Sequence, residues 1–318
     1  MVQFEEDVRL IQALARNLES CIMGKTEEIR LIITALLAQG HILLEDVPGT
    51  GKTVLIKALA RSINGQFRRI QCNPDLLPSD ITGVSIFHPK EETFVFRPGP
   101  VMTNILLADE INRATTKTQS ALLEAMEEHM VTIDGDSHPL PRPFLLLATQ
   151  NPIDFEGTYT LPEAQLDRFM MKLSLGYPDQ DTELRMFMAQ RHEHPLDQLE
   201  PVADMQQVIR LQQRVKSVHI DEAVAEYGIR IVRATREQAD LSLGASPRAT
   251  LALLDAARAY ALVQGREFVI PDDIKLLVPY VLKHRLILRS EARMNGTTEQ
   301  AVLDRIVGQV PVPVRLEK

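Results

Sequence analysis

One short segment constrains the fold of this chain more than any other. An apolar run, Ile42–Leu44, leads into Asp46-Val47-Pro48-Gly49-Thr50-Gly51-Lys52-Thr53, after which Leu55, Leu59 and Ile63 recur at helical spacing. A strand that turns on glycines directly into a helix curls its backbone so that successive N–H groups face inward around an anion. The positive end of the helix adds to that field. In such a loop Lys52 reaches the β- and γ-phosphates of a nucleotide and the Thr53 hydroxyl sits on Mg²⁺. An ordinary strand–helix turn has no need of Gly-Lys-Thr so placed. Asp46 stands where the usual pattern has its first glycine.

A second apolar run, Ile105–Ala108, delivers Asp109 and Glu110. In a parallel sheet this acid pair emerges at the same edge as the phosphate loop. Asp109 then holds Mg²⁺ through its water shell, and Glu110 orients and deprotonates an attacking water. A third run, Phe144–Thr149, ends in Gln150-Asn151-Pro152, where the Asn151 amide can bridge γ-phosphate and water. Two arginines complete the candidate set. Arg168, in Leu166-Asp167-Arg168-Phe169, precedes the last strand and can project toward a neighbouring subunit; Arg248 lies in the first turn of a helix opened by Ser246-Pro247. A guanidinium brought to a γ-phosphate is worth roughly 10³–10⁵ in rate. Spacing alone leaves surface ion pairs open for both.

The first half of the chain alternates buried-strand runs with helical periodicity, the pattern of a parallel sheet covered on both faces. Strands are predicted at Ile42–Leu44, Arg69–Cys72, Ile105–Ala108, Phe144–Ala148 and Met171–Leu175. Thr116 and Gln119 suggest a capping box before a helix that aligns Leu122, Leu123 and Met126. Ile81–Phe96, around the turn Lys90–Thr93, and Met130–Phe144, around Gly135-Asp136, read as two inserted hairpins. From 180 to 310 the patterns are helical, with no convincing strand. Ser246-Pro247 and Pro271-Asp272-Asp273 each open a helix there.

Together these residues resemble a MoxR-type member of the AAA+ ATPases. The strings LLEDVPGTGKT, RPGPVMTNILLADEINRATTKTQSALLEAMEEHMVT, ATQNPIDFEGTYTLPEAQLDRF and GYPD occur in order, and Gly244-Ala245-Ser246-Pro247-Arg248-Ala249 resembles the family's lid. The resemblance implies an α/β fold: an αβα core with a five-stranded, mainly parallel sheet and two β-hairpin inserts over 1–177, and a helical lid over 178–318. It implies ATP and Mg²⁺ as cofactors, with Asp46, Val47, Pro48, Gly49, Thr50, Gly51, Lys52 and Thr53 on the phosphates. An aspartate at position 46 is usual in this family.

The same resemblance makes Asp109 and Glu110 the Walker B pair, Asn151 sensor 1, Arg168 a finger acting on the adjacent subunit, and Arg248 the lid residue that holds ATP between core and lid. Ile22-Met23-Gly24 resembles the adenine-contacting segment, and Asn73 is placed like the polar residue that restrains the catalytic glutamate. Arg113 is expected either at a subunit boundary or in a structural ion pair. The partners implied are further copies in a hexameric ring and a client protein, such as one with a von Willebrand factor A domain and a metal centre. A magnesium-chelatase-type motor subunit and a nucleic-acid remodeller of the same superfamily are the alternatives.

Composition bears on the partners. The 318 residues carry 35 Lys+Arg against 43 Asp+Glu, a net charge of −8, with no tryptophan. That balance argues against a nucleic-acid partner. The acidic start MVQFEEDVRLIQ is unlike a signal peptide and no run is long enough to span a membrane, so membrane insertion is not expected. Cys21 and Cys72 read as reduced residues of a cytoplasmic protein.

Overall fold

Eleven strands organise the described part of the chain: β1 (Ile42–Glu45), β2 (Phe67–Gln71), β3 (Gly83–His88), β4 (Thr93–Pro98), β5 (Ile105–Asp109), β6 (Met130–Ile133), β7 (Asp136–Pro139), β8 (Leu145–Gln150), β9 (Met171–Leu173), β10 (Leu241–Leu243) and β11 (Ile287–Leu288). The computed structural model describes residues 2–47, 49–151, 159–189 and 195–313. Five of the strands form one sheet in the order β2-β5-β8-β1-β9, and every pairing in it is parallel.

The central strands are apolar without alternation because both faces are covered. Leu43, Leu106, Ala108, Leu146 and Ala148 pack with Leu122, Leu123 and Met126 of α5 (Thr116–Glu128) on one side. Ile42, Leu44, Ile105, Leu107, Leu145 and Leu147 face the other side, against α1 (Val2–Cys21), α2 (Thr26–Leu37) and α3 (Lys52–Ser62). β2 lies at the edge of the sheet and is mostly exposed. Its polar face is therefore free to serve the site described below.

Both hairpins are present as antiparallel pairs, β3–β4 and β6–β7. The short α4 (Pro78–Thr82) leads into the first, and Phe96 stacks on His138 of the second at 3.9 Å between ring centroids. Helix α5 begins one residue earlier than the capping box suggested. Thr115 is its N-cap, and the Gln119 amide instead donates to the carbonyls of Ala114 and Tyr159 at 3.1 and 3.0 Å. A buried amide with carbonyls on two sides gains more from them than from a cap.

After α6 (Glu163–Leu166) and α7 (Gln180–Ala189) come α8 (Met205–Val215), α9 (Glu222–Thr235), α10 (Pro247–Val263), α11 (Pro271–Leu282), α12 (Ser290–Met294) and α13 (Glu299–Gln309). Ser246 caps α10 as expected, accepting from the Ala249 N–H at 3.3 Å. The expectation of no strand in this half is corrected by β10 and β11, an antiparallel pair interrupted by an irregularity. Three residues facing two are too short for a period-two pattern to register. The helices share one apolar core with α1–α3, and the buried Gln212 amide donates to the Leu36 carbonyl at 2.8 Å.

Candidate active site

The loop after β1 is shaped by Asp46 and two glycines. Asp46 is buried, and its carboxylate accepts from Ser174 Oγ at 2.8 Å and from the N–H groups of Leu175 and Gly176 at 2.7 and 2.9 Å. An aspartate here pins the start of the loop to the segment that follows β9, a bond the consensus glycine cannot make. Gly49 and Gly51 hold φ of 87° and 85°, the left-handed region that strains any side chain. A Cβ on Gly49 would meet nothing within 4 Å, so its backbone fronts open space. Gly51 is the N-cap of α3, whose positive end faces the same space. Lys52 lies folded over the loop, its Nζ donating to the Val47 carbonyl at 2.8 Å. Pro48 falls outside the described residues.

The acid pair meets the loop across a cavity of about 430 Å³ lined by Gly49–Thr53, Asp109, Glu110, Thr149 and Asn151, with Arg69 and Gln71 on the far wall. Asp109 ends β5. Its Oδ1 accepts from the Thr149 hydroxyl at 2.5 Å, and its Oδ2 from Arg69 Nε and Nη2 at 3.1 and 2.5 Å. Glu110 has φ 56°, and its N–H donates to Thr149 Oγ1 at 2.8 Å. The Glu110 carboxylate accepts from Gln71 Nε2 at 3.0 Å and pairs with Arg113 Nε at 3.2 Å.

The glutamate's amide partner is thus Gln71, not Asn73. Asn73 lies beyond the end of β2, where its Oδ1 accepts from the Asp75 N–H at 2.9 Å. Arg69 and Gln71 stand two apart on one face of β2, and Gln71 is the register partner of Asp109. Polar residues at i and i+2 of an edge strand were the available signal, and sequence reasoning passed over them. Arg113 is an ion-pair partner of Glu110. Neighbouring Cys72 is no nucleophile: burial, then the charges of Asp109 and Glu110, push its thiol up to about 12.

Ile22 packs close to the loop, with its Cδ1 3.3 Å from where a Gly51 Cβ would lie, and Gly24 sits tightly against Thr182. Neither Ile22, Met23 nor Gly24 lines the cavity. Arg168 and Arg248 are also absent from its wall. Both pair with Glu127 at the end of α5, Arg168 through Nε at 2.6 Å and Arg248 through Nη2. Burial pushes the Glu127 carboxyl up, but the hydrogen bond from Arg248 and the charges of the two arginines outweigh it and hold it below the ordinary value. Packing of α10 against the core sets Arg248 beside Arg168 on Glu127, off the cavity wall. The adjacent Asp167 ties this region to the lid, accepting from Ser246 Oγ at 2.8 Å and from Arg285 Nε at 2.7 Å.

The cavity suits a nucleotide with Mg²⁺. The Thr53 hydroxyl and the Asp109 carboxylate are hard oxygen donors, and no group of three or more His, Cys, Asp or Glu among the described residues forms a cage of its own. A metal that keeps waters and phosphate oxygens needs no more from the protein. The open front of Gly49 and the N-terminus of α3 provide room and field for phosphates.

Comparison with known proteins places the chain in a family. Residues 41–171 match the family described as "ATPase family associated with various cellular activities (AAA)", and residues 233–306 match an AAA lid domain. The chain is 50% identical to the uncharacterised protein YeaC of Bacillus subtilis, over 98% of each chain. It is 40% identical to Chaperone MoxR1 of Mycobacterium tuberculosis, over 96% of this chain and 83% of that one. A solved structure from Cytophaga hutchinsonii, described there as a candidate ATPase, superposes with a TM-score of 0.91 at 38% identity, covering 98% and 97% of the two chains. Likeness at this level, running through core and lid alike, makes the chain a member of the MoxR-type AAA+ ATPases, a family of ATP-hydrolysing enzymes.

Proposed function

We propose that the cavity binds ATP with Mg²⁺, that Glu110 activates the water that cleaves it, and that a neighbouring copy completes the centre. One observation carries the reading: the Gly49–Thr53 loop and the Asp109–Glu110 pair meet in one cavity, while Arg168 and Arg248 share Glu127 outside it. Lys52 exchanges its resting carbonyl partners for phosphate oxygens, and Thr53 and Asp109 hold the metal. When bound, Mg²⁺ withdraws charge from the phosphate oxygens. Glu110 accepts the proton of the water, which Asn151 orients. Ile22–Gly24 border the nucleotide's base, a reading supported by the packing of Ile22 beside Gly51.

Arg168 and Arg248 act together in this reading, both turned toward the nucleotide of the adjacent copy. Two cations held on one carboxylate form a preformed pair that a neighbour's phosphate can take over from Glu127. Hydrolysis then depends on assembly in a ring, for which we adopt six copies, with 1–177 as the core and 178–318 as the lid. The work is done on a client protein, in the manner of a chaperone, in the cytoplasm. The exposed apolar residues Val84, Ile86, Phe87, Phe94 and Val95 of β3–β4 support a client-facing surface. A client with a von Willebrand factor A domain is the class to test first.

Glu110→Gln is expected to keep ATP binding and abolish turnover; undiminished turnover defeats the assignment. Arg168→Ala and Lys52→Ala chains, each inactive alone, are expected to regain activity when mixed, since a mixed seam joins an intact loop to an intact arginine. No recovery counts against the shared centre. A client trapped on the Glu110→Gln protein with ATP identifies the substrate.

A further inference from the structure

The Arg69 guanidinium occupies the outer oxygen of the carboxylate expected to hold the metal. Nε and Nη2 both donate to Asp109 Oδ2, at 3.1 and 2.5 Å. The other oxygen, Oδ1, is taken by the hydroxyl of Thr149, which is buried and fixed in turn by the Glu110 N–H at 2.8 Å. Both oxygens of Asp109 therefore carry a partner in this state, and Oδ2 carries two. Of its two partners only Arg69 can withdraw: it sits on the edge strand β2 with its side chain 47% exposed.

We propose that Arg69 and Mg²⁺ compete for Asp109, so that Arg69 sets the Mg²⁺ concentration at which the site retains nucleotide. The proposal rests on the nucleotide reading of the same cavity. A guanidinium and a divalent cation on one carboxylate repel each other, and the dication has the stronger claim on an oxygen anion once phosphates share its charge. In the resting site the cation is useful, because two adjacent carboxylates facing a cavity otherwise repel.

The displacement has a second effect. Arg69 Nη2 also donates to Gln71 Oε1 at 2.7 Å, and Gln71 Nε2 holds Glu110 at 3.0 Å. When Arg69 leaves Asp109, Gln71 loses the partner that orients its amide, and its hold on Glu110 weakens. Arrival of the metal is thereby relayed, through two side-chain hydrogen bonds, to the residue that activates water. Arg69 acts here as a positioning residue.

The test measures binding of a fluorescent ATP analogue over a Mg²⁺ series and in EDTA, for the full chain and for Arg69→Gln and Arg69→Lys, with thermal melts to establish folding. Arg69→Lys, which keeps the positive charge, separates loss of the two-pronged contact from the general effect of deleting a charge. For Arg69→Gln the Mg²⁺ midpoint is expected to fall by about two- to fivefold, the worth of a half-exposed ion pair. Arg69→Lys, which keeps the charge without the two-pronged contact, is expected to lie between. An unchanged or raised midpoint in Arg69→Gln overturns the proposal. Failure of the unaltered chain to bind the analogue at any Mg²⁺ concentration overturns the nucleotide reading itself, and this proposal with it.

Discussion

Arg285 Nε donates to Asp167 Oδ1 at 2.7 Å across 118 residues of sequence, and the same guanidinium reaches the carbonyls of Met170, Asp167 and Phe169 at 3.2, 3.0 and 2.8 Å. A buried cation from the 3₁₀ turn Lys283–Arg285 that ends α11 is thus enclosed by the segment that carries Arg168. Truncating it strips the Asp167 carboxylate of its cation and takes a donor from the carbonyls of Met170, Asp167 and Phe169. Arg285→Ala is expected to lower stability by about 3–5 kcal/mol, read as a fall in the urea midpoint. Arg285→Lys recovers only part, because an ammonium cannot span that many acceptors.

Asp46 makes a comparable prediction for the loop. Removing its carboxylate strands the N–H groups of Leu175 and Gly176. Asp46→Ala should cost about 1–3 kcal/mol by the penalty for unpaired buried donors, and it should weaken ATP binding because the loop loses its tether. Calorimetric melting and nucleotide titration of the same variant check both. Unaltered nucleotide affinity would show that the glycines alone shape the loop.

Gln71 and Asn73 separate cleanly in a turnover assay. Gln71 holds the Glu110 carboxylate at 3.0 Å, whereas the Asn73 side chain serves only its own turn. A hydrogen bond to a charged group is worth about 1.5–3 kcal/mol. Gln71→Ala should therefore raise basal ATP turnover by up to about tenfold, Arg113 still retaining part of the restraint. Asn73→Ala should leave it unchanged.

Two buried histidines give the stability a pH dependence. His41 Nδ1 accepts from the Leu146 N–H at 3.1 Å, so Nε2 carries the proton that it shares with the Met126 carbonyl at 3.2 Å. Burial, with the nearby His129, lowers its pKa from 6.5 to about 3. Burial, with the charge of Arg285, also holds His284 well below the ordinary value. Both stay neutral in the folded protein while the unfolded chain takes up protons below pH 6.5. Their contribution is complete above pH 6.5 and is lost as pH falls, for His41 down to about 3. Melting temperature should decline from pH 6.5 to 4, and His41→Gln should remove about one proton from the slope.

Sequence alone determined the parts whose physics is local. A continuous apolar run before Gly49 and Gly51 dictates a buried strand turning into a helix, and another before Asp109 places acids at a strand end. The inserted hairpins and the Ser246 cap are legible for the same reason: alternation, turn residues and an N-cap act over a few neighbouring positions. Tertiary structure alone decided which side chains share a partner. That Gln71 rather than Asn73 meets Glu110, that Arg69 covers Asp109, and that Arg168 and Arg248 converge on Glu127 follow from strand order and from the docking of α10. These contacts join residues from 39 to 121 positions apart. Such pairs leave no periodicity to read, because their partners are chosen by how the sheet and lid pack and not by the spacing along the chain.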